Sequence, residues 1–295
     1  MVFGVVCLVF FLLHLVPGDP VEVMLGESAR PADRAALQQA LGLDRPLHVQ
    51  FGYYLANLSQ FDLGTSFYSK RPIRDLLLER LPATVELGVA ALLVALLLAV
   101  PLGILAAVKK ETAWDIGATG VALFGVSIPN FWMGPMLILV GALWLGWFPV
   151  SGREGVASLV LPALTLGTAL AAILSRMIRS ALLEVLNEDF MRTARGKGLA
   201  ERTVILRHGL RNALLPVITL VGLQLGALLS GAVITETVFS WPGIGSLVVE
   251  AIHRRDYPVV QATVLCISMS YVALNVLTDL AYARIDPRVR LGSRP

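Results

Sequence analysis

Residues able to carry chemistry are few and scattered along this 295-residue chain. The four histidines, His14, His48, His208 and His253, stand too far apart for an H-E-x-x-H zinc pair. The two cysteines, Cys7 and Cys266, sit in apolar runs and offer neither a disulfide framework nor a metal cluster. No G-x-S-x-G elbow is present to expose a nucleophile. Gly196-Lys197 lacks the earlier glycine and the following Ser/Thr of a phosphate-binding P-loop, so ATP is not expected on this chain. These gaps argue against a membrane enzyme. What remains is a set of neutral polar residues inside apolar runs: Ser127, Asn130, Thr165, Thr168, Gln224 and Ser230. Such groups can line a wet path or bond across helices as structural glue, and both uses stay open. A proton-driven carrier would show ionisable groups near the middle of such runs. Here Asp279, His14 and Glu86 all lie towards run ends.

The apolar runs set where these groups stand. Hydrophobic residues make up 56% of the chain and charged residues 15%, with a mean hydropathy of +0.73. Soluble domains carry about 25% charged residues, so too few charges exist here to cover a water-facing surface. A helix needs about 20 apolar residues to cross a bilayer. Six runs fit: 2–17, about 84–108, about 116–147 with a break at Ser127-Ile128-Pro129-Asn130, about 159–183, about 213–237 and about 259–283. None alternates polar and apolar residues as a barrel strand does. Backbone amides in lipid must be satisfied internally, which predicts an all-α membrane protein with six transmembrane helices. Pro101 interrupts the second span, Pro216 starts the fifth, and Gly222, Gly226 and Gly231 line the fifth with small residues that permit close helix contact.

Lys and Arg placement sets the orientation. With the N-terminus cytoplasmic, the inside segments carry net charge +7 and the outside segments −3. Both termini are then cytoplasmic. The first basic residue is Arg30, so no basic leader precedes span one; we expect one upstream of Met1.

Two extramembrane stretches stand out. Residues 18–83 form the long outer segment. Pro31 suits the first position of a helix over ADRAALQQALG, closed by Gly42. RPLHVQFGYYLANLSQF and PIRDLLLERL read as two more short amphipathic helices, with Leu47, Phe51, Tyr54 and Leu58 at helical spacing. The stretch is a cap on the membrane surface, a docking surface, or both. Residues 184–212 are the most basic stretch, where nucleic acid or anionic lipid could bind, or where positive charge simply anchors the inside. Its order favours a contact element. Glu188 and Asp189 open a short helix over FMRTARGKG, Gly196 or Gly198 stops it, and RTVILRHGLRNALLP restarts a helix into span five.

At this point the sequence resembles a known family. DFMRTARGKGLAERTVILRHGLRNALLPVI is similar to the cytoplasmic loop of permease subunits in dipeptide/oligopeptide/nickel-type ABC importers. In that family the loop carries an E-A-A…G signature that enters a cleft of the ATPase subunit. Arg192-Thr193-Ala194 stand where Glu-Ala-Ala would be, and Gly198 matches the glycine. Leu214-Leu215-Pro216 resembles the closing I-x-L-P, at a greater distance from the glycine. HLVPGDPVEVMLG (14–26), LGLDRPLHVQFGYYL (41–55), DLGTSF (62–67), LPATVEL (81–87), FSWPGIGSLVVEAI (239–252), RRDYPVVQA (254–262) and IDPRVR (285–290) extend the resemblance over nearly the whole chain.

The resemblance implies the type I ABC importer transmembrane-domain fold and the first-permease type with a long outer loop. It divides the chain into a first transmembrane helix (1–17), an extracytoplasmic loop (18–83), a transmembrane domain (84–283) with the coupling loop 184–212, and a cytoplasmic tail (284–295). It implies a bacterial or archaeal cytoplasmic membrane, a second homologous permease, two ATPase subunits that use ATP and Mg, an external substrate-binding protein, and surrounding lipid, with no nucleic acid. Arg192, Thr193, Ala194 and Gly198 are then the ATPase-coupling residues. Ser127, Asn130, Gln224 and Ser230 are candidate path residues, and Trp241, Pro242 and Gly243 are the expected binding-protein contact. Short peptides are the expected cargo; glutathione, nickel–chelate complexes and sugars travel on the same scaffold. A stand-alone secondary carrier is the alternative reading.

Overall fold

The structure, a computed structural model, describes residues 2–15, 21, 25–26, 30–40 and 42–285. Among the described residues every regular element is helical, and the one strand-like pairing is an isolated bridge between Thr65 and Pro72. Two compact units divide the chain, residues 1–84 with 242–270 and residues 85–241 with 271–295.

The first unit holds α1 (Val2–Leu15), α2 (Pro31–Ala40), α3 (Leu47–Ser59), the start of α4 (Ile73–Val108), α10 (Ile244–His253) and the start of α11 (Tyr257–Ile285). Pro31 takes the first helical position of α2, where its missing N–H is not needed, and the Arg30 carbonyl accepts the amides of Asp33 and Arg34. Gly42, at φ +67°, follows the helix as predicted. Along α3, Phe51 and Tyr54 turn towards α1, with the Phe51 ring 5.0 Å and the Tyr54 ring 5.7 Å from that of Phe10. Ile73, Leu77, Ile244, Leu247, Ala251 and Val259 form one buried cluster that packs α4, α10 and α11 together. The sequence reading ends the outer loop at 83 and starts a span at 84. Instead α4 runs unbroken for 36 residues through Pro82 and Pro101. Leu, Glu and Arg are strong helix formers on both sides of Pro82, so one lost backbone bond does not end the helix.

The second unit holds the rest of α4, α5 (Ala113–Ser127), α6 (Asn130–Leu137), a π-helical stretch (Ile138–Trp144), α7 (Val156–Leu186), α8 (Asp189–Gly196), a second π-helical stretch (Val204–Gly209), α9 (Leu210–Val238) and the end of α11. Within it, α4 buries Leu87, Ala91, Ala95 and Ala99, one every fourth residue, completely. Gly167 of α7 lies so close to α4 that a Cβ there would come within 2.8 Å of the Ala91 carbonyl. The predicted break in span three is present: α5 and the α6–π segment meet at 101° across Ile128-Pro129. Pro129 cannot continue the helix, and residue 128 before it is pushed to an extended conformation, ψ 118°. Trp114 at one end of this pair and Trp144 and Trp147 at the other are all exposed, as aromatic anchors at the two membrane interfaces are.

Three helices are individually long and apolar enough to cross a bilayer: α4, α7 and the Tyr257–Leu280 part of α11. The bent α5–α6 pair and a second pair, bent by 52° where Pro216 interrupts α9, bring the total to five. Span five thus begins before Pro216, which kinks the helix rather than starting it. The sixth expected span is α1, whose 14 described residues rise about 21 Å; its predicted continuation at 16–17 lies outside the described residues. Most of the expected tail, residues 286–295, also lies outside them.

In the second unit α9 and α11 cross at two glycines. A Cβ on Gly222 would sit 1.9 Å from Thr278 Cγ2, and one on Gly226 2.3 Å from Tyr271 Cε2. No real contact is that short, so each glycine is required by the crossing. Gly222→Ala should therefore destabilise the protein by about 1–3 kcal/mol. The three atoms nearest to the added Cβ all belong to the Thr278 side chain. Thermal unfolding in detergent should accordingly show Thr278→Gly, which also removes the Cβ lying 2.6 Å from the added one, recovering part of the stability lost in the Gly222→Ala protein. Gly196→Ala, where nothing lies within 4 Å, should leave the transition unmoved.

Candidate coupling helix and outer face

The basic stretch after α7 folds back as an amphipathic helix. α7 stops at Leu186, Asp189 stands in the first turn of α8, and the Glu188 carbonyl accepts the amides of Met191 and Arg192. Met191 is fully buried and Ala194 nearly so, packed with Val204, Val185 and Leu186. The opposite face carries Arg192, Thr193, Arg195 and Gly196, all exposed. Gly198 accepts the chain reversal at φ +75°, with its amide donated to the Arg195 carbonyl at 2.9 Å. Nothing lies within 4 Å of where its side chain would be. Of the four sequence-predicted coupling residues, Arg192, Thr193 and Gly198 thus share an open surface. Ala194 instead points inward and holds α8 against the chain.

Both arginines of this face lean on carboxylates of the same stretch. Arg192 Nη1 is 3.4 Å from Asp189 Oδ1, and Arg195 Nη2 is 2.9 Å from Glu201 Oε1. Beneath α8, Gly209 ends the π-helical stretch; a Cβ there would be 3.2 Å from both Leu182 Cδ1 and Met191 Cε. Higher on α7, Arg179 grips Asp115 of α5 with two bonds, Nε–Oδ1 at 2.8 Å and Nη2–Oδ2 at 2.7 Å. Asp115 also accepts the Glu111 amide at 3.0 Å. α5 is thereby bolted to the helix that carries α8. Nothing in sequence singled out this pair, since its members stand 64 residues apart.

Ser127 and Asn130, predicted for a path, flank the α5–α6 break. Ser127 Oγ donates to the Leu123 carbonyl of its own helix at 2.8 Å. Gln224 lies half-buried on α9, and the Ser230 side chain lies outside the described residues. Thr165 and Thr168 bond to carbonyls of α7 itself, at 2.9 and 3.4 Å, and neither bond crosses to another helix.

At the turn expected to face outward the structure corrects one expectation. Trp241 is fully buried, Gly243 is buried, and Pro242 is half-buried. The indole lies under the Arg153 guanidinium, 5.8 Å from ring centroid to Cζ, and Arg153 Nε donates to Glu86 at 2.8 Å. The Trp241 amide donates to the Glu236 carbonyl at 2.7 Å. A turn whose large apolar side chains find a core does not offer them to a partner. Further on, the Ile244 amide donates to Thr84 Oγ1 at 2.8 Å.

An exposed aromatic feature sits in the first unit and was not singled out by sequence. Asp256 is buried and accepts from Ser66 Oγ, from the Phe67 amide at 3.0 Å and from the Tyr68 amide at 3.2 Å. One carboxylate thus caps the turn at 66–69 from 190 residues away. That turn presents Tyr68, 63% exposed, with the Arg254 guanidinium 4.2 Å from its ring centroid. Arg254 in turn pairs with Glu250 at 2.8 Å. The signal available in sequence was the pair of segments DLGTSF and RRDYP, each quoted above for resemblance alone.

Comparison with known proteins agrees with this geometry. Residues 99–291 match the family described as binding-protein-dependent transport system inner membrane component, and residues 1–88 match its N-terminal companion family. The chain is 43% identical to the dipeptide transport system permease protein DppB of Escherichia coli (strain K12), over 97% of this chain and 94% of the relative. It is 44% identical to the di/tripeptide transport system permease protein DppB of Pseudomonas aeruginosa (strain UCBPP-PA14), over 98% and 94%. It is 43% identical to the glutathione transport system permease protein GsiC of Salmonella choleraesuis (strain SC-B67), over 97% and 94%. Among solved structures, an inward-facing form of the MetNI methionine ABC transporter aligns with a TM-score of 0.62 at 16% identity, covering 72% of this chain and 96% of that one, which shows the type I importer fold. The chain belongs to the permease subunits of dipeptide/oligopeptide-type ABC importers, the inner membrane components of binding-protein-dependent transport systems.

Proposed function

We propose that this chain forms half of a translocation path for short peptides, delivered by an external binding protein and driven by separate ATPase subunits. A second, homologous permease supplies the other half. ATP and Mg act on the two ATPases, and both termini of this chain face the cytoplasm. The single observation that carries the reading is α8. It is a short helix with one buried apolar face, one open face and a glycine stop, placed directly after a 31-residue spanning helix. A solvent-facing element fixed so firmly to a spanning helix can pass a push into the membrane. The cargo class rests on the relatives, whose names specify dipeptide, di/tripeptide and glutathione transport.

The reading sets a topology. Single cysteines placed between residues 42 and 72 should react with a membrane-impermeant thiol reagent in intact cells. Cysteines at 187–212 should react only after the membrane is opened. Labelling of 187–212 from outside would overturn the orientation.

Gly198 tests coupling. A leucine there must hold φ near +75° at a cost of about 1–2 kcal/mol, and it projects into the open space where a partner would sit. Gly198→Leu should leave the permease folded but lower peptide uptake and co-purified ATPase about tenfold, the equivalent of ~1.4 kcal/mol of docking free energy. Gly198→Asn, which tolerates the left-handed region, should be milder. Normal uptake and normal ATPase recovery in Gly198→Leu would remove the coupling role.

Tyr68 and Trp241 test the outer face. Tyr68→Ala should raise the binding-protein concentration for half-maximal stimulation of ATP hydrolysis about tenfold, as loss of an exposed aromatic anchor does. Trp241→Ala should instead lower thermal stability, by about 3–5 kcal/mol for a fully buried Trp. The reverse pattern would return the docking role to Trp241.

A further inference from the structure

The first unit contains a cavity of about 710 Å³, within the range of small-molecule sites. Its lining changes character along the chain direction. Arg74 and Gln60 come from outer elements, the first turn of α4 and the end of α3. Val6, Leu265 and Met269 come from the membrane-embedded helices α1 and α11. Leu265 and Met269 lie one turn apart on the same face of α11, and Met269 is 12 residues, about 18 Å, from the outer start of that helix at Tyr257. With the orientation proposed above, on which this inference rests, the cavity reaches from the outer surface well into the hydrocarbon.

Its charge is as one-sided as its polarity. Arg74 is exposed and has no carboxylate within ion-pair distance among the described residues. The neighbouring arginines of α4 and the loop before it are matched: Arg71 with Glu79, and Arg80 with Glu250. The described lining includes no Asp or Glu, so a zwitterionic peptide would find no partner for its ammonium group. An apolar tail with an anionic head satisfies both ends at once. We propose that this cavity binds an anionic phospholipid of the outer leaflet, with an acyl chain against Val6, Leu265 and Met269 and its phosphate on Arg74. An arginine fork meets phosphate oxygens with two parallel bonds, and such a bond gains strength at a poorly hydrated interface. The proposal concerns lipid rather than cargo and stands apart from the coupling and docking roles above.

The test uses the assembled importer in nanodiscs of phosphatidylglycerol and phosphatidylethanolamine, one to three. Native mass spectrometry after partial delipidation should find phosphatidylglycerol retained on the wild-type complex in preference to phosphatidylethanolamine. Arg74→Gln should reduce its retention about tenfold, the expected loss for one charge-assisted phosphate contact. Leu265→Trp, which fills the cavity, should reduce retention of both lipids while the complex stays assembled. A photoreactive residue at Met269 should give a phosphatidylglycerol adduct of this chain. Equal retention in wild type, Arg74→Gln and Leu265→Trp would overturn the proposal. So would a Met269 crosslink to the second permease, which would mean that a protein side chain fills the cavity.

Discussion

A polar backbone group without a partner costs several kcal/mol in hydrocarbon, and this chain is organised around that constraint. It explains why the regular structure is helical throughout the described residues. It also explains where helices are allowed to fail. The sharpest break, between Ser127 and Asn130, comes with Pro129, which has no N–H to leave unsatisfied, and with Ser127 returning its hydroxyl to the Leu123 carbonyl. Threonines inside α7 do the same, bonding to their own helix and leaving the surface between helices free for packing. These three hydroxyls are thus spent locally.

With little polar attraction between helices, close approach has to come from small side chains. Ala91, Ala95 and Ala99 on α4, Gly167 on α7, and Gly222 and Gly226 on α9 supply it. Charge acts too: the Asp115–Arg179 pair joins α5 to α7. The two modes divide the work. Glycine and alanine contacts bring helices together and can slide, because no directional bond is lost. The bidentate ion pair fixes one point. Under the coupling role proposed for α8, motion imposed on α7 would be carried to α5, and so to the α5–α6 break, through this fixed point.

Sequence reasoning reached what depends on local chemistry. Pro31 and Gly42 bound α2, the Ser127–Asn130 break divides span three, and Gly198 stops α8, each because one residue type forces one backbone geometry. It failed where the outcome depends on contacts far along the chain. The sequence reading ends the outer loop at 83, yet helix formers on either side of Pro82 carry α4 through that boundary. The Trp241 turn reads as an exposed loop because it lies between spans. Only the fold shows Arg153 and Glu86 waiting to cover it. Asp256 is a single acid among several in the outer segments, and its role as the cap of the 66–69 turn exists only once residues 190 positions apart meet. The same distance hides Asp115 and Arg179.

The open face of α8 carries two arginines, and both are already matched by carboxylates of the same short stretch, Asp189 and Glu201. Those two arginines, balanced in place, cast only a weak field beyond a few ångströms, and salt screens what remains. Lys197 and Arg202, exposed beside them, keep the stretch basic. With α8 as the proposed seat of the motor, the partner is then held by fit and by a salt-sensitive attraction together. The second part of that grip would loosen when a cell loses water and its internal ionic strength climbs.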